Sequence, residues 1–200
     1  MNNNSEAVMQ SVKCLTEFYR EIGEFIRALD RVMNDAGYSV VKASKDSVVD
    51  ATSGTLDRPH RWLPVCFYRG YTAGSMQYFA VNILLDRTRK EHTAVLEPLL
   101  IGCRITFASR MREKSWKDSS WDDTPRDLYF YTKPVPKVNH KVYGKKELLT
   151  TENRKALNEK YWGDDELSII KDISLATVPL MQLTSKTEIK EMVLKLFCIS

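Results

Sequence analysis

The stretch SEAVMQSVKCLTEFYREIGEFIRALDRVMNDAG, residues 5–37, decides the fold. Its apolar residues recur at alternating spacings of four and three, which is the repeat of one face of an α-helix. Ser5 is a suitable N-cap, and Gly37 stands where helices often end in a left-handed residue. The pattern predicts one helix over residues 6–36, about 45 Å long at 1.5 Å per residue. We call its apolar row the seam: Val8, Val12, Leu15, Tyr19, Ile22, Ile26, Leu29, Met33 and Ala36.

The apolar face of this helix is wider than the seam alone. Phe18, Phe25 and Val32 form a second column, again seven residues apart. A two-stranded coiled coil needs only the narrow stripe, whereas a helix that packs on a sheet uses a broader face. The second column therefore favours packing on the chain's own sheet, and any part of the helix that extends past this sheet would need a partner.

After Gly37 the apolar spacing changes to the alternation of β-strands. Short connections that contain glycine or charged residues separate these stretches, which argues against a parallel sheet with helical crossovers. Pro98 cannot donate to a ladder, so the strand around it should begin or bulge there. The predicted strands are Tyr38–Lys42, Trp62–Tyr71, Met76–Leu85, Ala94–Ala108, Asp127–Thr132 and Ser174–Leu183.

The order of elements predicts a single α+β domain over residues 1–200. A mostly antiparallel sheet of about five strands would be covered by the long N-terminal helix and by a C-terminal helix over residues 186–197. Ser185 and Glu188 form a capping box for that last helix. The strand-rich core spans residues 38–132, a basic loop residues 133–146, and a helix, a strand and a helix residues 151–197.

The composition is that of an ordinary globular protein, with 43% apolar and 28% charged residues and a net charge of +4. All of the positive excess lies in residues 101–200. The four cysteines are far apart and form no C-x-x-C pair, so buried reduced thiols are expected. No secretory signal or membrane-spanning stretch is visible, and we expect a cytoplasmic protein with no cofactor, no metal ion and no membrane contact.

The usual catalytic motifs, including phosphate-binding loops and nucleophile elbows, are missing. A compact polar set of Asp57, His60 and Arg61 precedes a predicted strand, where His60 could act as a general base oriented by Asp57. Three polar residues in a loop are common, however, so an enzyme is the third of our hypotheses. An acidic group at residues 118–127 has no recognised cation-binding spacing and is interpreted as a solvated loop.

A basic and aromatic strip over residues 110–146 carries the second hypothesis, nucleic-acid binding. Lysine and arginine neutralise phosphates, and flat rings stack on unpaired bases, so this mixture suits a single strand. The alternative is a solvated loop, and the acids between the two basic parts weaken the case for binding. The strip comprises Arg110, Arg112, Lys114, Trp116, Lys133, Lys137, Lys141, Tyr143 and Lys145.

The leading hypothesis is a non-enzymatic interaction or regulatory module that self-associates. It depends on the length of the seam and on the missing catalytic motifs. A long helix is a simple surface for a twofold dimer, so the predicted partner is a second copy or another protein, bound through the N-terminal helix.

Overall fold

The computed structural model describes residues 3–41, 66–85, 98–110, 121, 124–131, 144–160, 167–183, 188–191 and 193. At its centre is one five-stranded antiparallel sheet in which strands that follow one another in the chain are neighbours. The predicted α+β class with an antiparallel sheet is confirmed. The strands are β1 (Ser39–Val40), β2 (Cys66–Ala73), β3 (Gln77–Leu84), β4 (Leu99–Phe107) and β5 (Ile170–Pro179).

Turn and proline chemistry set the limits of the inner strands. The turn from β2 to β3 contains Gly74 at φ +65°, a conformation that glycine adopts without a steric penalty. The Thr72 hydroxyl donates a hydrogen bond to the Gly74 carbonyl at 2.7 Å. β4 begins directly after Pro98, as predicted, because proline has no N–H to donate to the ladder.

The long helix is present and extends slightly further than predicted. α1 runs from Asn3 to Asp35, so it begins two residues before the predicted cap at Ser5. Gly37 has φ +85°, and the Tyr38 N–H donates to the Met33 carbonyl at 2.9 Å across the helix end. This is the left-handed glycine termination that the sequence predicts.

The C-terminal half of α1 covers one face of the sheet. Its seam residues Ile22, Ile26, Leu29 and Met33 are at most 6% exposed. Residues 188–191 and 193, which are helical as predicted, add to the same apolar layer. The other buried residues of this layer are Phe67, Tyr71, Phe79, Val81, Ile83, Leu100, Ala176, Val178, Ile189 and Val193.

Three helices of the described part of the chain cover the other face, and the sequence predicts only the last of them. They are α2 (Thr124–Tyr131), α3 (Lys145–Leu148) and α4 (Thr151–Lys160). Together with Trp121 they bury Leu128, Leu148 and Leu157 against side chains that alternate with those of the α1 layer. The sheet is thus enclosed between two helical layers, which explains why β3 is apolar at nearly every position.

The predicted strand Asp127–Thr132 is wrong, because residues 127–131 belong to α2, and Thr132 lies outside the described residues. Aromatic residues favour strands only where they fit a pleated surface. Pro125 instead suits the first turn of a helix, and Leu128 is fully buried on the sheet. The buried Asn82 side chain accepts a hydrogen bond from the Arg126 N–H at 2.8 Å and so satisfies one donor of the helix start.

The last strand is displaced from its predicted range of Ser174–Leu183. β5 begins earlier, at Ile170, and ends at Pro179, after which Leu180–Gln182 form a 3-10 turn. Proline has no N–H to extend the ladder, and the Leu180 N–H donates to the Pro98 carbonyl at 2.8 Å instead.

A matched pair of leucines on α1 tests this arrangement. Leu29 is 1% exposed and Leu15 is 39% exposed. We expect Leu29→Ala to lower the free energy of unfolding by about 2–5 kcal/mol, because it leaves a cavity under the helix. Leu15→Ala should cost less than about 1 kcal/mol in the monomer. Urea unfolding at low protein concentration measures both, and equal losses would contradict the burial of α1.

Candidate interaction surface

The N-terminal part of α1 extends past the sheet and leaves its seam uncovered. We call residues 5–17 the helix overhang; every one of them is exposed. Val8, Met9, Val12 and Leu15 are 61%, 69%, 56% and 39% exposed. Among the described residues, the only other large apolar side chains with comparable exposure are those of Met76 and Met181. The overhang therefore concentrates exposed apolar surface on one side of one helix.

Tyr19 marks the point where the seam reaches the sheet. Its ring lies 5.9 Å from that of Phe67 on β2, and it is partly buried. From Ile22 onward the seam is buried under the domain. One continuous apolar row therefore passes from solvent to core within a single helix.

The charged residues of the overhang lie away from the seam. At 100° per residue, Glu6, Lys13 and Glu17 fall on the opposite side of the helix, together with Gln10. The residues that flank the seam, Met9, Ser11, Thr16 and Phe18, are uncharged. The surface can therefore take an apolar helix without burying a charge.

A partly buried ion pair attaches α1 to the sheet. Asp30 accepts hydrogen bonds from Arg69 Nε at 3.0 Å and Arg69 Nη2 at 2.7 Å, a bidentate geometry. The Tyr71 hydroxyl donates to the same carboxylate at 2.8 Å. The side chains of Arg69 and Asp30 are 10% and 25% exposed, and Tyr71 is fully buried.

The protonation behaviour of this cluster follows from its burial. Desolvation raises the pKa of Tyr71 well above its usual value of 10, and the charge of Asp30 adds to the rise. Burial alone would lower the pKa of Arg69, but the hydrogen bond and charge of Asp30 outweigh it and raise that pKa. Both Asp30 oxygens accept hydrogen bonds from Arg69 or Tyr71, so the cluster has the geometry of a structural anchor.

A second polar group lies beyond the C-terminal end of α1. The Tyr38 hydroxyl donates to Gln77 Oε1 at 3.3 Å, and the Tyr38 ring meets Phe79 edge-on at 4.7 Å. Arg104 Nη2 lies 3.9 Å from Asp172 Oδ2. Burial raises the pKa of Tyr38, while the nearby Arg104 charge opposes this rise. The chain after α1 is therefore held to the sheet through Tyr38.

Sequence reasoning missed the Asp30–Arg69–Tyr71 cluster. A signal for it was present, since Arg69 alternates with Phe67 and Tyr71 on the buried face of a predicted strand. A charge at such a position requires a buried partner. Only the docking of α1 on β2 shows that this partner is Asp30, which lies 39 residues away in the chain.

Most of the residues predicted for a site lie outside the described residues. This holds for Asp57, His60 and Arg61, and for seven residues of the basic strip. Of the strip, Arg110 is exposed just after β4, and Lys145 Nζ donates to the Ile170 carbonyl. With the other residues of the strip outside the described part of the chain, the enzymatic and nucleic-acid hypotheses stay predictions.

Two of the predicted buried thiols are confirmed and one is wrong. Cys66 and Cys103 are buried thiols, and burial raises the pKa of the Cys103 thiol well above its usual value. Cys14 is exposed, because no layer of the domain covers the helix overhang. Cys198 lies outside the described residues.

The described part of the chain contains neither a metal-binding group nor a membrane-spanning helix. No three or more His, Cys, Asp or Glu side chains there are grouped as a metal site. No helix there is both long enough and apolar enough to cross a membrane. Comparison with protein-family models, with curated proteins and with solved structures gave no match.

Replacement of Tyr71 by phenylalanine tests the anchor. The hydroxyl donates to a charged acceptor, so Tyr71→Phe should lower the free energy of unfolding at pH 7 by about 1.5–3 kcal/mol. Because the pKa of Tyr71 is raised in the folded protein, the Tyr71 hydroxyl loses its proton at a lower pH in the unfolded chain than in the folded one. The stability that this hydroxyl contributes is therefore complete below pH 10 and decreases as the pH rises above 10. The difference in the free energy of unfolding between the wild type and Tyr71→Phe should therefore become smaller above pH 10, as measured by denaturant titrations. A constant difference would contradict a protonated donor at Tyr71.

Proposed function

We propose that the protein is a non-enzymatic interaction module that self-associates through the helix overhang. The observation that carries this proposal is the exposure of Val8, Val12 and Leu15 on a row whose continuation is the core, with the exposed Met9 beside it. Monomeric proteins scatter exposed apolar residues singly, and a contiguous apolar patch commonly marks an interaction site. An isolated helical segment of this length is also only marginally stable in water, so a partner would stabilise it.

The proposed interface is small. The four side chains supply on the order of a few hundred Å² per copy, whereas stable interfaces bury about 800 Å² on each partner. We therefore expect a reversible dimer with a dissociation constant in the micromolar range. Such an equilibrium suits a module whose state responds to its local concentration.

A charge introduced on the seam should weaken association without unfolding the protein. Val12→Glu places a carboxylate at the centre of the proposed interface, and its desolvation should weaken association at least about tenfold. Val12 is 56% exposed, so the fold should be retained. Analytical ultracentrifugation over a concentration series gives the dissociation constant, and circular dichroism checks the helix content.

Gln10→Glu is the matched control. It adds the same charge in the same turn of α1, but on the side opposite the seam. This variant should associate like the wild type. The proposal would be overturned by a wild-type chain that remains monomeric at about 100 μM, or by two variants that associate equally.

A further inference from the structure

We infer that the end of the sheet where β4 ends and β5 begins binds the phosphates of a single-stranded nucleic acid. Three chain segments supply basic residues there, which we call the basic end patch: Arg110, Lys145, Lys146 and Lys171. The patch lies at the opposite end of the strands from the contact of Tyr19 with Phe67, beyond which the helix overhang extends. Binding at this patch is therefore independent of the proposed self-association.

Two hydrogen bonds bring the three segments of the patch together. The Ala108 N–H, just after β4, donates to the Ile169 carbonyl at 2.8 Å. Lys145 Nζ donates to the Ile170 carbonyl and so attaches the start of α3 to the start of β5. Arg110 follows Ala108 by two residues, so their Cα atoms are at most about 7.6 Å apart. The ends of β4 and α3 thus meet at the first residues of β5.

A β-bulge places Lys171 at the same point. Thr106 pairs with Asp172 and Phe107 pairs with Ile170, so Lys171 is an extra residue without a pairing position on β4. An extra residue of this kind bends the strand and interrupts the ladder. Within β5, Lys171 alone is exposed. The bulge therefore adds a solvent-facing cation beside the other two segments.

The acidic side chains next to the patch have partners within the fold. Glu147 Oε2 accepts a hydrogen bond from the Gly144 N–H at 3.0 Å. Asp172 Oδ2 lies 3.9 Å from Arg104 Nη2. The ion pairs among the described residues include none of the three exposed cations of the patch, Arg110, Lys146 and Lys171. The patch therefore presents positive charge that the described acids do not neutralise.

This charge lies where the two parts of the basic and aromatic strip meet. Arg110 and Lys145 are the described members of the strip, and the fold brings them to one end of the sheet although the acidic group separates them in the sequence. Clustered lysine and arginine bind phosphates by charge and by counterion release. In the sequence, Tyr143 stands two residues before Lys145, and flat rings stack on unpaired bases. An anionic lipid surface offers no such bases, so a single strand fits this chemistry better.

Fluorescence anisotropy with a labelled oligothymidine of about 20 nucleotides tests the patch in the full chain. The test variant combines Arg110→Gln, Lys146→Gln and Lys171→Gln. At about 50 mM salt its affinity should be at least tenfold lower than that of the wild type. Each phosphate contact contributes about 0.7 to the slope of log affinity against log salt, so this slope should be smaller by about 2. Each single substitution should lower it by about 0.7.

The matched control combines Arg27→Gln, Arg31→Gln and Lys190→Gln. It removes the same charge from three exposed positions of the α1 layer, on the other face of the sheet from α3. This variant should bind the oligonucleotide like the wild type. Since all six side chains are exposed, circular dichroism and urea unfolding should show that both variants remain folded.

Three results would overturn the inference. A wild-type chain that does not bind the oligonucleotide at about 50 mM salt has no such site. Equal weakening in the two triple variants would show a general attraction of the whole protein rather than a patch. Vesicles that contain phosphatidylserine are the third probe. If they bind through the three exposed cations of the patch while the oligonucleotide does not bind, the ligand is a lipid surface.

Discussion

A mismatch in length between α1 and the sheet beneath it determines the form of this protein. The helix has 33 residues and is about 50 Å long, whereas the eight-residue strands β2 and β3 span only about 26 Å. The sheet therefore buries the seam from Ile22 to Met33 and leaves Val8 to Leu15 in solvent. The ion pair of Asp30 with Arg69 and the ring contact of Tyr19 with Phe67 fix where along α1 this transition falls. A shift of α1 would separate Asp30 from Arg69, and an unpaired buried charge is costly.

Local spacing predicted the features that depend on neighbouring residues. The seam predicted α1, Gly37 predicted its end, and Pro98 predicted where β4 begins. Features that depend on distant contacts were not predictable in this way. Residues 124–131 are rich in aromatic side chains and resemble a strand, yet Leu128 packs as part of a helix on the second face of the sheet. The hydrogen bond that the Arg126 N–H donates to Asn82 at the start of that helix joins residues 44 apart in the chain.

The candidate surface was partly predictable from the local spacing of apolar residues along α1. The wide apolar face argued for packing on a sheet, and the excess length of the helix argued for an overhang that needs a partner. What the sequence could not supply was the position of the boundary, because it depends on which strand residue meets which turn of α1. Once Tyr19 marks that boundary, Val8, Val12 and Leu15 remain as the exposed part of the seam, where the proposed partner would pack.

Amide hydrogen exchange at several protein concentrations tests the central claim most directly. An uncovered helix of this length frays, so its amides exchange quickly, whereas packing against a partner slows them. The account predicts that protection of residues 5–17 increases with concentration through the micromolar range, while protection around Leu29 stays high throughout. Rapid exchange of residues 5–17 at every concentration would contradict it.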